Sequence, residues 1–231
     1  MDTSFVVIPT KSINHANPMP DLENASISRL IVFTRYPAPG RTKTRLIPVL
    51  GPAGTADLQR RMTEGLMGRV EALAARQAVA VRFEGGDVSR MSRWLGPRWS
   101  YRPQGEGNIG ARMDRALSAA FAEGAPAAAL IGADIPDLSA AILAEAFQRL
   151  ADHDIVIGPA ADGGYYLVGA RRERYAELAP LLFQGIPWGT GRVLRETLAA
   201  LAAAHVRVHL LPLLRDIDRP EDLAAWEAAE P

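Results

Sequence analysis

The chain has 231 residues, no cysteine, and a formal net charge of zero, since 26 Lys and Arg balance 26 Asp and Glu. A neutral chain is a poor candidate for a nucleic-acid binder, which needs a basic face, and the lack of cysteine excludes disulfides, thiolate zinc sites and cysteine nucleophiles. The hydrophobic share of 48% and the charged share of 23% are typical of a soluble globular domain and exclude a wholly disordered chain.

The first 28 residues predict a mobile N-terminal extension. Residues 9–28 are rich in Asn, Ser and Pro and show no clear period. Alternatively, the apolar run at 5–8 anchors an arm on the domain or on a partner, so a homo-oligomer is possible. Because the chain shows neither a signal peptide nor a membrane-spanning apolar stretch, we expect a cytoplasmic location and no membrane span.

From residue 29 onward, short apolar runs alternate with amphipathic segments, which predicts strands that alternate with helices. The predicted strands are 29–34, 78–83, 99–102, 127–133, 155–158, 164–169 and 206–211. The predicted helices are 52–77, 110–123, 139–150, 190–204 and 220–229, with Ser139 as a cap. This order predicts an α/β fold with helices on both faces of a mainly parallel, twisted sheet, and a single domain over residues 29–231.

The loop after the first strand is the first candidate site. It places Arg35, Arg41, Lys43 and Arg45 around Gly40. Ligands of open α/β sheets bind at the carboxyl ends of the strands, and such a loop can wrap a polyphosphate with backbone N–H groups and cations. The loop is neither a Walker A motif nor a dinucleotide fingerprint, and a solvated basic turn is the alternative.

Two pairs of carboxylates follow later strands. Asp134 directly follows the predicted strand 127–133 with Asp137 three residues on, and Asp216 and Asp218 follow the last strand. Magnesium is commonly held by a few carboxylates together with substrate phosphates. We therefore predict that Asp134 binds a metal and that one Asp of the last pair completes the site. The other Asp of that pair can instead pair with Arg215 or cap the last helix, while Asp137 can cap the next helix or support the site indirectly.

Two glycine-rich segments add polar and aromatic side chains. In 104–112, Gln104 or Asn108 can read a base edge or a ribose, and Arg112 can reach a phosphate; an ordinary surface loop is the alternative. In 158–166, two glycines precede two tyrosines, a pattern that allows a ligand to approach the backbone.

Asp162 and Trp188 each have two interpretations. Asp162 is either a hydrogen-bond acceptor or general base for an acceptor, or part of a structural Asp-Gly turn. Trp188 is either a wall of an acceptor site or a packing plug, and packing is the more common role of a tryptophan.

Six stretches together resemble one bacterial family over about residues 29–228. In chain order they are FTRYPAPGRTKTRL, QGEGNIGARM, LIGADIPDL, GPAADGGYYLVG, GIPWGT and LRDIDRPEDL. The family that they resemble is an uncharacterised bacterial branch of the glycosyltransferase-A superfamily. Its members are named glycosyltransferases, and some of them are linked to arsenosugar biosynthesis. It is related to nucleotide-diphospho-sugar transferases and to molybdenum-cofactor and 2-phospho-lactate guanylyltransferases. The DIDRPED tail is similar to the DIDTPED of several nucleotidyltransferases, with Arg219 where Thr is common.

The resemblance implies a Rossmann-like nucleotide-diphospho-sugar transferase fold, Mg²⁺ or Mn²⁺ as cofactor, and a nucleotide or nucleotide-sugar plus a small-molecule acceptor as partners. It implies that phosphates are held by Arg35, Gly40, Arg41, Lys43 and Arg45. It implies Asp134 and Asp218 as metal ligands, although the D-x-D pattern appears here as Asp134-Ile-Pro-Asp137, one residue longer. Asn108 stands where the family often has Asp.

Three functions follow in order of preference. The first is a metal-dependent glycosyl transfer from an NDP-sugar, with Asp162 and Lys43 as the catalytic residues. The acceptor side would then comprise Gly163, Gly164, Tyr165 and Trp188. The second is a nucleotidyl transfer from an NTP to a phosphorylated acceptor with release of pyrophosphate, which needs no protein base. The third is a nucleotide-binding protein without turnover.

Overall fold

The computed structural model describes residues 27–224 and Trp226, and the structural statements below concern these residues. The expected extension at 1–28, with its apolar run at 5–8, therefore lies outside the described residues except for Ile27 and Ser28. The same holds for most of the second half of the predicted helix 220–229. Within the described part, no helix has both the length and the apolarity needed to cross a lipid bilayer.

Seven strands form one sheet. They are β1 (Arg29–Arg35), β2 (Ala78–Glu84), β3 (Ser100–Pro103), β4 (Ala127–Gly132), β5 (Ile155–Pro159), β6 (Tyr165–Arg171) and β7 (Val208–Leu210). Their order across the sheet is β3-β2-β1-β4-β6-β5-β7. All neighbouring pairs are parallel except those of β6, which runs antiparallel to both β4 and β5. The middle strands are buried on both faces, which explains why their sequences are mostly apolar, with the buried Arg82 of β2 as an exception.

Helices cover both faces of the sheet. They are α1 (Ile47–Glu71), α2 (Val88–Leu95), α3 (Ile109–Ala122), α4 (Ala140–Arg149), α5 (Arg172–Phe183) and α6 (Val193–Ala203). Leu66 of α1 and Leu143 of α4 belong to one apolar core, while Leu117 of α3 and Leu178 of α5 belong to the core on the opposite face. The predicted α/β fold with a mainly parallel sheet is therefore confirmed.

Four helices differ most from the prediction. The first helix starts at Ile47 rather than residue 52, because the chain is already helical before a kink at Gly51, whose φ is +66°. Helices α2 and α5 were not predicted: α2 buries only Met91, and α5 carries Pro180 inside it. The predicted final helix begins as a short 3-10 turn at Pro220–Asp222.

The topology brings distant segments to one edge of the sheet. The parallel strands β1, β2, β3 and β4 all end there, so the loops that follow them meet. The antiparallel strand β6 starts at this same edge, so the turn between β5 and β6 lies beside the loop that follows β4. The segment after β7 arrives here too, since the backbone N–H of Ile217 donates to the carbonyl of Asp134 at 3.0 Å.

A buried carboxylate, Asp154, stabilises the start of β5. It accepts hydrogen bonds from the backbone N–H of Arg207 at 3.2 Å and from the guanidinium of Arg174 at 3.2 Å. Burial alone would raise the pKa of Asp154, but the bonds from Arg207 and the charge of Arg174 outweigh it and hold the pKa below its ordinary value. Its ionised form therefore stabilises the fold at neutral pH, and this contribution is lost as the pH falls through the folded-state pKa.

We expect Asp154→Asn to lower the free energy of unfolding by about 1–2 kcal/mol at pH 7, because it removes the charge facing two partly exposed guanidinium groups. The difference from the wild type should shrink below about pH 4, where the unfolded carboxyl becomes protonated. Urea denaturation at pH 7, 5 and 3 measures it. Asp152→Asn, an exposed neighbour, is the control, and a difference that persists unchanged at pH 3 would contradict the electrostatic explanation.

Candidate functional site

Two adjoining cavities open at the edge where the parallel strands end. The larger has a volume of about 570 Å³ and the smaller about 320 Å³. Three residues line both of them, namely Ile109, Asp134 and Asp218. The two carboxylates predicted as metal ligands therefore stand at the boundary between the cavities.

Lys43 connects the basic loop to this boundary. Its side chain is only 5% exposed, and its ammonium donates to Asp134 Oδ2 at 3.2 Å and to the backbone carbonyl of Ile217. The backbone of Lys43 is left-handed, with φ +46°, a strained conformation for a residue with a side chain. Backbone strain of this kind persists where surrounding contacts hold the residue in place, and such residues are often found at functional sites.

Asp218 has its own cation from the same loop. Arg45 forms an ion pair with it, and both side chains line the larger cavity. The turn around Asp218 is fixed by Asp222, whose Oδ2 accepts from the backbone N–H groups of Asp218 at 3.1 Å and Arg219 at 2.8 Å. Each predicted metal ligand is thus paired with a cation of the loop after β1.

The donor set at the boundary fits a divalent cation that shares its shell with a substrate. Nowhere in the described stretch do three His, Cys, Asp or Glu side chains cluster as a self-sufficient metal site. Asp134 and Asp218 together supply two carboxylates. Magnesium is usually bound by one or two carboxylates plus substrate phosphates, so this pair suits it better than a metal that needs four protein ligands.

A further carboxylate, Asp216, lines the larger cavity. From the sequence alone, its role could be that of a metal ligand or of a partner that supports the last helix. Burial, reinforced by the negative charges of Asp162 and Asp134, raises the pKa of Asp216 to about 6. The sequence signal that Asp216 and Asp218 face the same site was their spacing, since residues two apart lie on one side of an extended segment.

Asp162 both lines the larger cavity and holds the turn between β5 and β6. Its Oδ1 accepts from the backbone N–H of Gly164 at 2.8 Å. The neighbouring Gly163 has φ +88°, and a Cβ there would lie 2.3 Å from the carbonyl oxygen of Gly191. The structural Asp-Gly turn is therefore present, and one carboxylate oxygen of Asp162 is not part of it.

Aromatic side chains form one wall of the larger cavity. Trp188 is stacked on Phe183 and meets Tyr165 edge to face, with centroids 6.1 Å apart. Its ring lies against Gly110 of α3, where a Cβ would approach it to 2.4 Å. The hydroxyl of Tyr165 is buried without a partner among the described residues, and burial raises its pKa well above the ordinary value, so the ring is what this residue contributes to the wall.

The smaller cavity is lined by Arg35 and Gln104, both predicted, and by Glu84, which was not. Glu84 Oε2 accepts from Arg35 at 2.6 Å and from Arg112 of α3 at 3.1 Å. The signal that could have found Glu84 is its position at the carboxyl end of β2, the edge where ligands bind.

Four predicted phosphate or base contacts lie outside both cavities, and one of them is Arg112, whose guanidinium pairs with Glu84. Gly40 and Arg41 occupy an exposed turn, in which the carbonyl of Arg41 accepts from Arg35 at 3.1 Å. Asn108 caps α3, because its side chain accepts from the backbone N–H of Ala111 at 2.9 Å. The structure thus gives Asn108 a local helix-capping role, and its contact with a ligand stays a prediction.

Comparison with known proteins assigns the chain to a family. The model of a family described as "Uncharacterized protein conserved in bacteria (DUF2064)" matches residues 69–190, more than half of the chain. Among curated proteins, none is significantly similar to the sequence.

Solved structures provide further similarities. A protein of Desulfovibrio desulfuricans G20, provisionally named a nucleotide-diphospho-sugar transferase, is 33% identical, with a TM-score of 0.78 over 83% of this chain and 82% of that one. A 4-diphosphocytidyl-2C-methyl-D-erythritol synthase of Anaerococcus prevotii is 10% identical, with a TM-score of 0.60 over 88% and 95%. Glucosyl-3-phosphoglycerate synthase of Mycobacterium tuberculosis, in complex with Mg²⁺ and UDP, is 10% identical, with a TM-score of 0.55 over 87% and 75%. The last two similarities concern the fold alone.

Proposed function

The chain belongs to the DUF2064 family and has the fold of nucleotide-using transferases, and we propose that it is a metal-dependent glycosyltransferase that uses an NDP-sugar and a hydroxylated small-molecule acceptor. The observation that carries this proposal is the sharing of Asp134 and Asp218 by both cavities. A donor bound across the boundary would place its nucleotide in the smaller cavity, its diphosphate at the two carboxylates, and its sugar in the larger cavity. The arsenosugar link of the resembling family stays a prediction.

The roles of the chain's own residues follow from their contacts. Lys43 and Arg45 hold Asp134 and Asp218 in place and supply positive charge beside the diphosphate. A bound Mg²⁺ or Mn²⁺ would supply charge neutralisation for the leaving diphosphate. Asp162 stands on the acceptor side, where a carboxylate can take the proton of the attacking hydroxyl.

The larger cavity favours a hydroxylated acceptor over a phosphorylated one. Five carboxylates line it against three guanidinium groups; the carboxylates are Asp134, Asp162, Asp216, Asp218 and Asp222. With a divalent cation on Asp134 and Asp218, the charges of this lining balance, so it offers a phosphate no net attraction. The three remaining carboxylates can accept hydrogen bonds from hydroxyl groups. The rings of Tyr165 and Trp188 provide an apolar face on which a sugar ring can lie.

The proposal is tested by incubating the purified protein with a panel of NDP-sugars, with Mg²⁺, Mn²⁺ or EDTA, and measuring release of the nucleoside diphosphate. We expect slow, metal-dependent hydrolysis of one donor in the absence of an acceptor, since water can occupy the acceptor position. Release that is unaffected by EDTA, or no binding of any NDP-sugar, would contradict the proposal.

Nucleotidyl transfer is the second candidate, and the density of cations around the first loop favours it. Arg35, Lys43 and Arg45 all line the cavities, and a triphosphate carries more negative charge than a diphosphate. This function predicts pyrophosphate release from an NTP that depends on a phosphorylated acceptor. Such release, without NDP release from any sugar donor, would replace the first proposal with this one.

A further inference from the structure

We propose that the smaller cavity selects guanine among the nucleobases, and that Glu84 and Gln104 are the side chains that read it. This inference rests on the proposed function, because it assumes that a nucleotide binds in this cavity. Both side chains line the cavity and stand where neighbouring parallel strands end, Glu84 at the end of β2 and Gln104 directly after β3.

The orientation of the Gln104 amide is fixed by the backbone. Its Nε2 donates to the carbonyl of Thr34 at 3.1 Å and to the carbonyl of Arg82 at 3.3 Å, and the residue is buried. Both amide hydrogens are therefore used within the sheet. Rotation of the amide would break two buried hydrogen bonds, so the only polar atom that Gln104 can offer a ligand is the acceptor Oε1.

Glu84 presents a second acceptor next to the first. Its Oε2 already accepts from Arg35 and Arg112, while its Oε1 has no partner of this kind among the described residues. The Arg112 nitrogen that donates to Glu84 also lies 3.5 Å from Gln104 Oε1, which keeps the two acceptors close together. Burial alone would raise the pKa of Glu84, but the two guanidinium groups hold it below its ordinary value, so the group is an ionised acceptor at neutral pH.

The loop that carries Gln104 is held in place before any ligand binds. Arg115 donates to the carbonyls of Gln104 and Glu106, both at 2.9 Å, and Arg112 Nε donates to the carbonyl of Gly107 at 2.9 Å. Because this loop is already ordered, little binding free energy is lost in ordering it when a ligand binds. The loop can then discriminate between ligands by how well their donors and acceptors match its own.

Guanine is the common base whose edge complements two adjacent acceptors. Its N1–H and its 2-amino group are neighbouring donors, and its O6 can accept from the flanking guanidinium groups of Arg35 or Arg112. Uracil offers one N–H between two carbonyl oxygens, while adenine and cytosine place a ring acceptor next to their amino group. Each of these three bases would place one of its own acceptors against an acceptor of Glu84 or Gln104, which leaves buried groups without a hydrogen-bond partner.

The test is calorimetric titration of the full chain, in Mg²⁺, with GDP, IDP, UDP, CDP and ADP. We expect GDP to bind at least about tenfold more tightly than UDP, CDP or ADP. We also expect GDP to bind about tenfold more tightly than IDP, which differs from it only by the 2-amino group that donates to an acceptor here. Glu84→Gln should reduce the preference for GDP over UDP at least about tenfold. The matched control is Glu71→Gln, which removes an Arg–Glu pair with Arg98 outside both cavities.

The outcomes separate this inference from the proposed function. Equal or tighter binding of UDP, CDP or ADP overturns the guanine assignment and leaves nucleotide use intact, whereas no binding of any diphosphate removes the proposed function as well. A preference for GDP that Glu84→Gln and Glu71→Gln change equally overturns the role of Glu84. The ratio of GDP to IDP affinity needs no variant, so it tests the inference even if Glu84→Gln fails to fold.

Discussion

Replacing Asp134 by Asn should lower metal-dependent turnover by about 100- to 1,000-fold, a loss of the size found when one group that stabilises transition-state charge is removed. Asp134 lines both cavities and is the partner of the Lys43 ammonium. The amide removes half of the carboxylate pair at the boundary. It also leaves the buried Lys43 with a neutral partner and the carbonyl of Ile217.

The measurement is the release of NDP from the donor at increasing Mg²⁺, which separates metal affinity from kcat. Asp137→Asn is the matched control, since Asp137 is three residues away, exposed, and lines neither cavity. We expect Asp137→Asn to change turnover less than about twofold, because it is a surface substitution away from both cavities. Equal losses in the two variants would show that Asp134 has no special role at the boundary.

Gly163→Ala should lower the free energy of unfolding by about 3 kcal/mol or more, through two separate effects. The first is the positive φ of +88°, which a side chain disfavours. The second is a steric clash, because the new methyl would lie 2.3 Å from the carbonyl oxygen of Gly191, a backbone atom that cannot move aside by a simple rotation. The same clash would separate the turn at Asp162 from the loop that carries Trp188.

Gly124→Ala separates the two effects. Gly124 has a similar φ of +96°, but a Cβ there meets no atom within 4 Å, so only the backbone effect, about 1 kcal/mol, is expected. Urea denaturation of both variants measures the difference. If Gly163→Ala is no more destabilised than Gly124→Ala, the close contact with Gly191 contributes nothing to stability.

Most of the sheet could be predicted because its strands are buried on both faces. The runs at β1 and β4 are largely apolar, as is β2 apart from the buried Arg82, and their predicted bounds differ from the observed ones by one residue at most. The antiparallel direction of β6 could not be predicted, since it depends on pairing with β4, some 40 residues earlier in the chain. Helix α2 was missed because its charged sequence carries a single buried side chain, Met91.

The candidate site was predictable where it follows from strand ends. Asp134, Asp218 and Lys43 lie together because parallel strands finish at one edge, a property of the topology that the sequence order implies. The pairing of Glu84 with Arg112 was not predictable, because no local pattern tells which carboxylate meets which guanidinium group across a fold. For the same reason, the contact between Gly110 and the ring of Trp188 emerged only from packing.

The contacts of Lys43 also have a consequence for biosynthesis. Its two partners follow it by 91 and 174 residues, so neither exists when the first strand and its loop leave the ribosome. At about 5–20 residues per second, the ammonium waits roughly 10–35 s after its own synthesis for the carbonyl of Ile217. Because burying an unpaired cation is costly, this loop must stay hydrated during translation. The contacts of Lys43 at the boundary between the cavities are therefore complete only near the end of synthesis.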